Sequence, residues 1–350
     1  MGFRQVAIVF LIILTTGCGG RALPPPSTAT AVSAAHSIAL PGTSPDGVFM
    51  DYLAYDRVHH RVWVPAGNTA SVDVIDAGTD QVTRIEGFPS AAIERNGTTR
   101  TVGPSSVTVG EGVVYVGNRG DSSVCAIDAD SLRRGPCVRL ESMPDGLAYV
   151  ASTKEVWATI PHDRSIAVID AATAGVLTRT ATIGLEGQPE GFAVDDARGL
   201  FYTNLEDKDR TLTIDVGRRH VARTWRPGCG AAGPRGLALD HALDVLFVAC
   251  PDRVVALDAE HDGSQLAVIG VGGGLDNIDY VERRHELYAA AARTATLTIA
   301  RLGPDRTLAS LAVVPTVSGA RNAVATDEGT AYLTDSAAGK ILVVPPLGLH

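Results

Sequence analysis

The sequence predicts an all-β chain built as a closed ring of seven four-stranded units, and three observations predict it. The first is a self-similar motif that recurs seven times, beginning at residues 51, 105, 145, 190, 235, 276 and 321, with spacings of 54, 40, 45, 45, 41 and 45. The second is an apolar-aromatic pair about eleven residues into each unit, Val62-Trp63, Val114-Tyr115, Val156-Trp157, Phe201-Tyr202, Leu246-Phe247, Leu287-Tyr288 and Ala331-Tyr332. The third is an Asp that ends a β-branched run 23 to 25 residues in, at Asp76, Asp128, Asp170, Asp215 and Asp258.

Each landmark is a short run of β-branched or aromatic residues bounded by Gly, Asp, Asn or Pro, the pattern of a strand. With closing stretches such as Gln81-Val82-Thr83-Arg84-Ile85, every unit holds four strands. Four antiparallel strands every 40 to 45 residues make a propeller blade. One blade cannot bury both of its faces, so neighbours must stack and the ring must close. The expected fold is therefore a seven-bladed β-propeller. The seventh unit stops after its third strand, Lys340 to Val344, and the stretch from His36 to Gly42 resembles the unit-closing strands. It is expected to supply the missing fourth strand, which removes an open edge.

The termini set the domain boundaries. Arg4 and the apolar run Val6 to Leu14 read as a signal peptide over residues 1–17. Nine residues span only about 13 Å as a helix, short of the ~30 Å hydrocarbon core. Thr15-Thr16-Gly17-Cys18 resembles a bacterial lipobox, with Thr15 where Leu is usual, and implies lipidation of Cys18. Residues 18–35, rich in Gly, Ala, Pro, Ser and Thr, read as a disordered tether, and 36–350 as the propeller. The expected location is the bacterial cell envelope, with membrane attachment through the lipid.

Four further cysteines remain, an even number that suits an oxidising compartment. Cys125 falls in the third strand of its blade and Cys137 in the region of the fourth, while Cys229 precedes the innermost strand of the fifth blade and Cys250 ends its second. Pairings Cys125–Cys137 and Cys229–Cys250 are expected. The net charge is −9 and no Lys/Arg-rich run occurs, so the footprint for phosphate neutralisation is missing and nucleic acid is not an expected partner. A monomer is expected.

Tyr115-Val116-Gly117-Asn118, Tyr202-Thr203-Asn204 and Tyr332-Leu333-Thr334-Asp335 resemble the Tyr-Val-Thr-Asn signature of bacterial YVTN-type propeller repeats, as do the Ile-Asp endings of third strands. The resemblance covers nearly all of residues 36–346. It implies the fold and export, and says little about function.

In a propeller the loops entering the innermost strands converge with those leaving the second strands on one face, around the channel. The expected mouth residues are Asp51, Ser105, Asp145, Glu190, Arg235, Asp276, Asn277, Arg321 and Asn322. Convergent polar groups in a concavity suggest a ligand site, with Asp145, Glu190, Arg235, Asp276, Asn277, Arg321 and Asn322 as its members and an envelope protein, polymer or small anionic ligand as partner. The competing expectation is a ring of ion pairs through Glu190, Arg235, Asp276, Arg321 and Asp51 that only locks blades together. Loops after second strands add Asn118, Arg119, His162, Asp163, Asn204, Glu206, Asp207 and Asp335. The third-strand Asp residues are expected to bond their own turns.

Haem, nucleophile-elbow, phosphate-loop and zinc motifs do not occur, and no cofactor is expected. The alternative is a calcium-dependent lactonase, since propellers of the gluconolactonase family hold a divalent cation at the mouth with Glu, Asn and Asp. Asp145, Glu190, Asn277 and Asn322 are the oxygen donors available for it, against the repulsion of Arg235 and Arg321.

Overall fold

The computed structural model describes residues 1–2, 35–95 and 97–348. The leader, Cys18 and nearly all of the tether lie outside these residues. Among the described residues no helix is long and apolar enough to cross a membrane.

Seven four-stranded antiparallel sheets follow one another along the chain as blades 1 to 7. Their innermost strands are Ala54–Asp56, Pro104–Gly110, Leu147–Val150, Pro189–Asp195, Leu237–Asp240, Leu275–Val281 and Ala323–Ala325. The ring closes as the sequence predicts. His36–Ala39 pairs antiparallel with Lys340–Val344, Ile38 opposite Ile341, so blade 7 takes its outermost strand from the N-terminal side.

The recurring aromatic of each second strand has a packing cause. Trp63, Tyr115, Trp157, Tyr202, Phe247, Tyr288 and Tyr332 are all buried. The core is divided into clusters lying between successive blades: Tyr332 of blade 7 packs with Val62, Val64 and Ile75 of blade 1, and Trp63 packs with Val114, Val116 and Ile127 of blade 2. Backbone hydrogen bonds also cross between innermost strands, from Tyr52 N to Ser105 O (3.0 Å) and from Gly236 N to Asp276 O (2.8 Å).

The long first spacing is a hairpin inserted between blades 1 and 2. Ala91–Arg95 pairs only with Thr98–Val102 and belongs to no blade. Its base is tight, because a side chain on Gly103 would meet the carbonyl oxygen of Gly67 at 2.3 Å.

Both expected disulfides are present. Cys125 and Cys137 stand opposite each other in the third and fourth strands of blade 2, and Cys229–Cys250 ties the loop entering blade 5 to the end of its second strand. The third-strand Asp residues cap their turns. Asp76 accepts from the backbone N–H of Gly78 and Thr79, Asp128 from Ser131, Asp170 from Ala172, Asp215 from Arg218, and Asp258 from Glu260 and His261.

Candidate functional site: the channel mouth

The mouth-face loops bring charged side chains from all round the ring toward its axis, but their pairing is not the ring the sequence suggests. Arg119, leaving the second strand of blade 2, reaches Asp51 of blade 1 at 3.2 Å and also pairs with Asp145 of blade 3. Arg321 of blade 7 reaches Asp51 at 3.4 Å and Asp276 of blade 6 at 3.1 Å. The result is a chain of ion pairs, Asp145, Arg119, Asp51, Arg321, Asp276, laid over five consecutive blades and across the closure. Of the expected links only Asp276–Arg321 and Arg321–Asp51 form. Arg235 turns instead to Glu206 on the neighbouring loop of blade 4.

Glu190 has a partner that its sequence neighbours do not indicate. Tyr52 of blade 1 extends across the channel, donates its hydroxyl to Glu190 Oε1 at 2.8 Å, accepts from Gly191 N at 3.3 Å, and stacks on Phe192 with ring centroids 5.9 Å apart. The strut joins blade 1 to blade 4 across the ring axis. In the aligned units its position is Ser106, Gly146, Gly191, Gly236, Asn277 and Asn322, and at the glycines the blades abut closely: a Cβ on Gly191, whose φ is +68°, would lie 2.4 Å from Arg235 O. That one large aromatic in a column of small residues is the signal the sequence carried for the strut. Beneath Tyr52 lies a cavity of 170 Å³ lined by Phe192, Leu237, Asn277, Asn322 and their neighbours.

Burial shapes the protonation of this cluster. Glu190 is pushed well above the usual carboxylate range by burial and by the charge of Asp145. Burial also raises Asp145, with Arg119 pulling it back. Asp276 is raised to about 6 by burial, against the opposing charge of Arg321. Tyr52 is raised by burial and by Glu190 beside it. Burial thus raises three carboxyl groups around the axis, opposed at Asp145 by Arg119 and at Asp276 by Arg321.

The remaining expected residues are engaged locally. Asn322 donates to the backbone oxygen of Asp51 at 2.8 Å, and Asn277 N donates to Arg321 O at 3.3 Å. The Ser105 hydroxyl donates to Gly117 O at 3.5 Å. Asn118 and Asn204 are buried: Asn118 donates to Asp121 in its own loop and to Pro89 O, Asn204 donates across to Arg235 O at the entry to blade 5 and accepts from the Thr211 hydroxyl, and Asp335 accepts from Ala338 N at 3.2 Å. His162, its side chain 85% exposed, meets only Asp163. Of the oxygen donors considered for a cation, Asp145 Oδ1 pairs with the Arg119 guanidinium and Glu190 Oε1 accepts from the Tyr52 hydroxyl, while Asp145 Oδ2 and Asn322 Oδ1 are buried without a hydrogen-bond partner among the described residues. Among the described residues no group of three His, Cys, Asp or Glu is placed to hold a metal ion.

No family model matches the chain, and no curated protein matches it. Solved structures do. A streptogramin B lyase is 11% identical with a TM-score of 0.70, covering 91% of this chain and 99% of the other. The virginiamycin B lyase from Staphylococcus aureus is 11% identical with a TM-score of 0.68, covering 89% and 99%. The WD40 repeats of RRP9 are 12% identical with a TM-score of 0.69, covering 91% and 99%. At these identities the likeness shows the architecture and nothing of activity: the chain is a seven-bladed β-propeller.

Proposed function

We propose that the chain is an exported envelope lipoprotein, tethered through Cys18 and kin to the YVTN-type repeat propellers, whose mouth face is a binding surface for a partner molecule. One observation carries the binding reading. Tyr52 bridges the channel to Glu190, while Arg321 and Arg235 on the rim keep side chains 37% and 31% exposed. A ligand is therefore met on the face and not drawn into the axis, as suits an interaction module. The two disulfides and the apolar leader support export.

The test is crosslinking in intact cells. A photoreactive residue replacing Arg235 on the mouth rim should capture a partner that the same group at Val313, on an exposed outermost strand, does not. Capture from Val313 alone, or from neither site, refutes the mouth face as the binding surface.

A further inference from the structure

Beside the mouth, between blades 4 and 5, lies a cleft of 370 Å³ lined by Asp207, Lys208, Asp209, Arg210, Arg226, Gly230 and Ala231. Its volume falls in the range of small-molecule sites, about 300–1,000 Å³. Three cations line it, and none has a carboxylate within ion-pair distance among the described residues. Lys208 and Arg226 make no side-chain hydrogen bond there. Arg210 is steadied only by the backbone oxygens of Lys208 (3.3 Å) and Asp209 (3.2 Å). In a chain of net charge −9, three such cations in one concavity stand out from the paired arginines of the mouth.

The two carboxylates in the cleft stand beyond ion-pair distance from these cations and each is oriented by a backbone N–H. Asp207 Oδ1 accepts from Gln188 N at 2.8 Å and Asp209 Oδ1 from Cys229 N at 2.9 Å. The other oxygen of each has no donor among the described residues. The walls are held in advance of any ligand. The Cys229–Cys250 disulfide fixes the blade 5 side, Arg253 donates to Gly228 O, and Asp209 links the two loops. A preformed site spends little free energy on ordering when it binds.

We infer that this cleft is a binding site for a hydroxylated acid about the size of one sugar ring. Lys208, Arg210 and Arg226 take its anionic group, and the free oxygens of Asp207 and Asp209 accept from its hydroxyls. Guanidinium and ammonium groups recognise carboxylate and phosphate alike, so the acid is either a uronic acid or a sugar phosphate. The inference rests on the mouth face being the binding side, but it is tested by a measurement independent of any cellular partner.

The experiment is calorimetric titration of the purified propeller with glucuronate, glucose 6-phosphate and glucose. At least one acid should bind saturably with 1:1 stoichiometry, glucose should not, and whichever acid binds identifies the anionic group. The Lys208→Ala/Arg226→Ala double variant should weaken that binding about tenfold or more, and Arg139→Ala, on the exposed outermost strand of blade 2, should leave it unchanged. No saturable binding of either acid, equal binding of glucose, or undiminished binding by the double variant overturns the site. Should the double variant fail to fold, amide shifts of the wild-type chain decide: perturbation at residues 206–210 and 226–233 upholds the site, and perturbation elsewhere refutes it. Crosslinking from the mouth rim can fail while these titrations succeed, and the reverse, so the two readings stand or fall separately.

Discussion

Arg119 sits at the centre of the mouth, its side chain 16% exposed and shared between two carboxylates from blades 1 and 3. Arg119→Ala would leave Asp145 without a cation in a buried setting and should cost about 3 kcal/mol or more. Arg235→Ala frees Glu206, which is open enough to be hydrated, and should cost less than about 1 kcal/mol. Denaturant unfolding of the two variants checks the contrast; equal losses would mean that the ion-pair chain is not what locks the mouth. Tyr52→Phe removes the donor to Glu190 and should cost about 1–3 kcal/mol.

A pH effect belongs to the same scale. Asp73 is buried, its carboxylate accepts no hydrogen bond among the described residues, and Arg84 stands 4.0 Å away. Burial raises it to about 6. An acid raised in the folded state makes that state bind more protons, so its contribution is full below the unfolded value near 4 and is lost as pH rises through 6. Stability should fall between about pH 4 and 6 and level off above that. Asp73→Asn should remove about 1–3 kcal/mol of that fall, leaving the part due to Asp145, Glu190, Asp276 and Asp279, which are raised in the same direction. An unchanged slope in the variant would show that Asp73 ionises normally.

At the scale of elements, strands and turns follow from local chemistry, and their energetic weights can be separated. Ile38 is buried between Ile341, Val343 and Tyr332 in the strand that closes the ring. Ile38→Ala should cost about 2–4 kcal/mol, measured by denaturation, because the cavity falls at the one blade assembled from both ends of the chain. Replacing either disulfide by a Ser pair should cost about 2–4 kcal/mol. The Cys229–Cys250 change should in addition loosen the blade 5 loop, read as faster amide exchange at residues 226–233. The inserted hairpin was legible only as an overlong first spacing. Its ten strand residues match the excess over the usual period, and Gly97 marks the turn, but nothing repeats it elsewhere in the chain.

For the whole molecule, the anchor proposed at Cys18 lies outside the described residues and is tested by fractionation. Cys18→Ser should move the protein from the membrane fraction to the soluble envelope fraction with its unfolding unchanged; a wild-type chain already soluble and unacylated by mass spectrometry contradicts the anchor. The sequence by itself determined the seven blades, the strand that closes them, the turn-capping Asp residues and both disulfides. These all depend on contacts within one repeat or between ends that the ring must join, and a period near 45 residues records them. Only the tertiary structure decided which charges meet at the axis. Tyr52 finds Glu190 across 138 residues, Arg119 joins blades on either side of its own, and Arg235 turns along the rim to Glu206. Such contacts depend on ring diameter and on the direction of side chains around the axis. A linear repeat leaves both unspecified, so charges that alternate along the chain pair by distance in space.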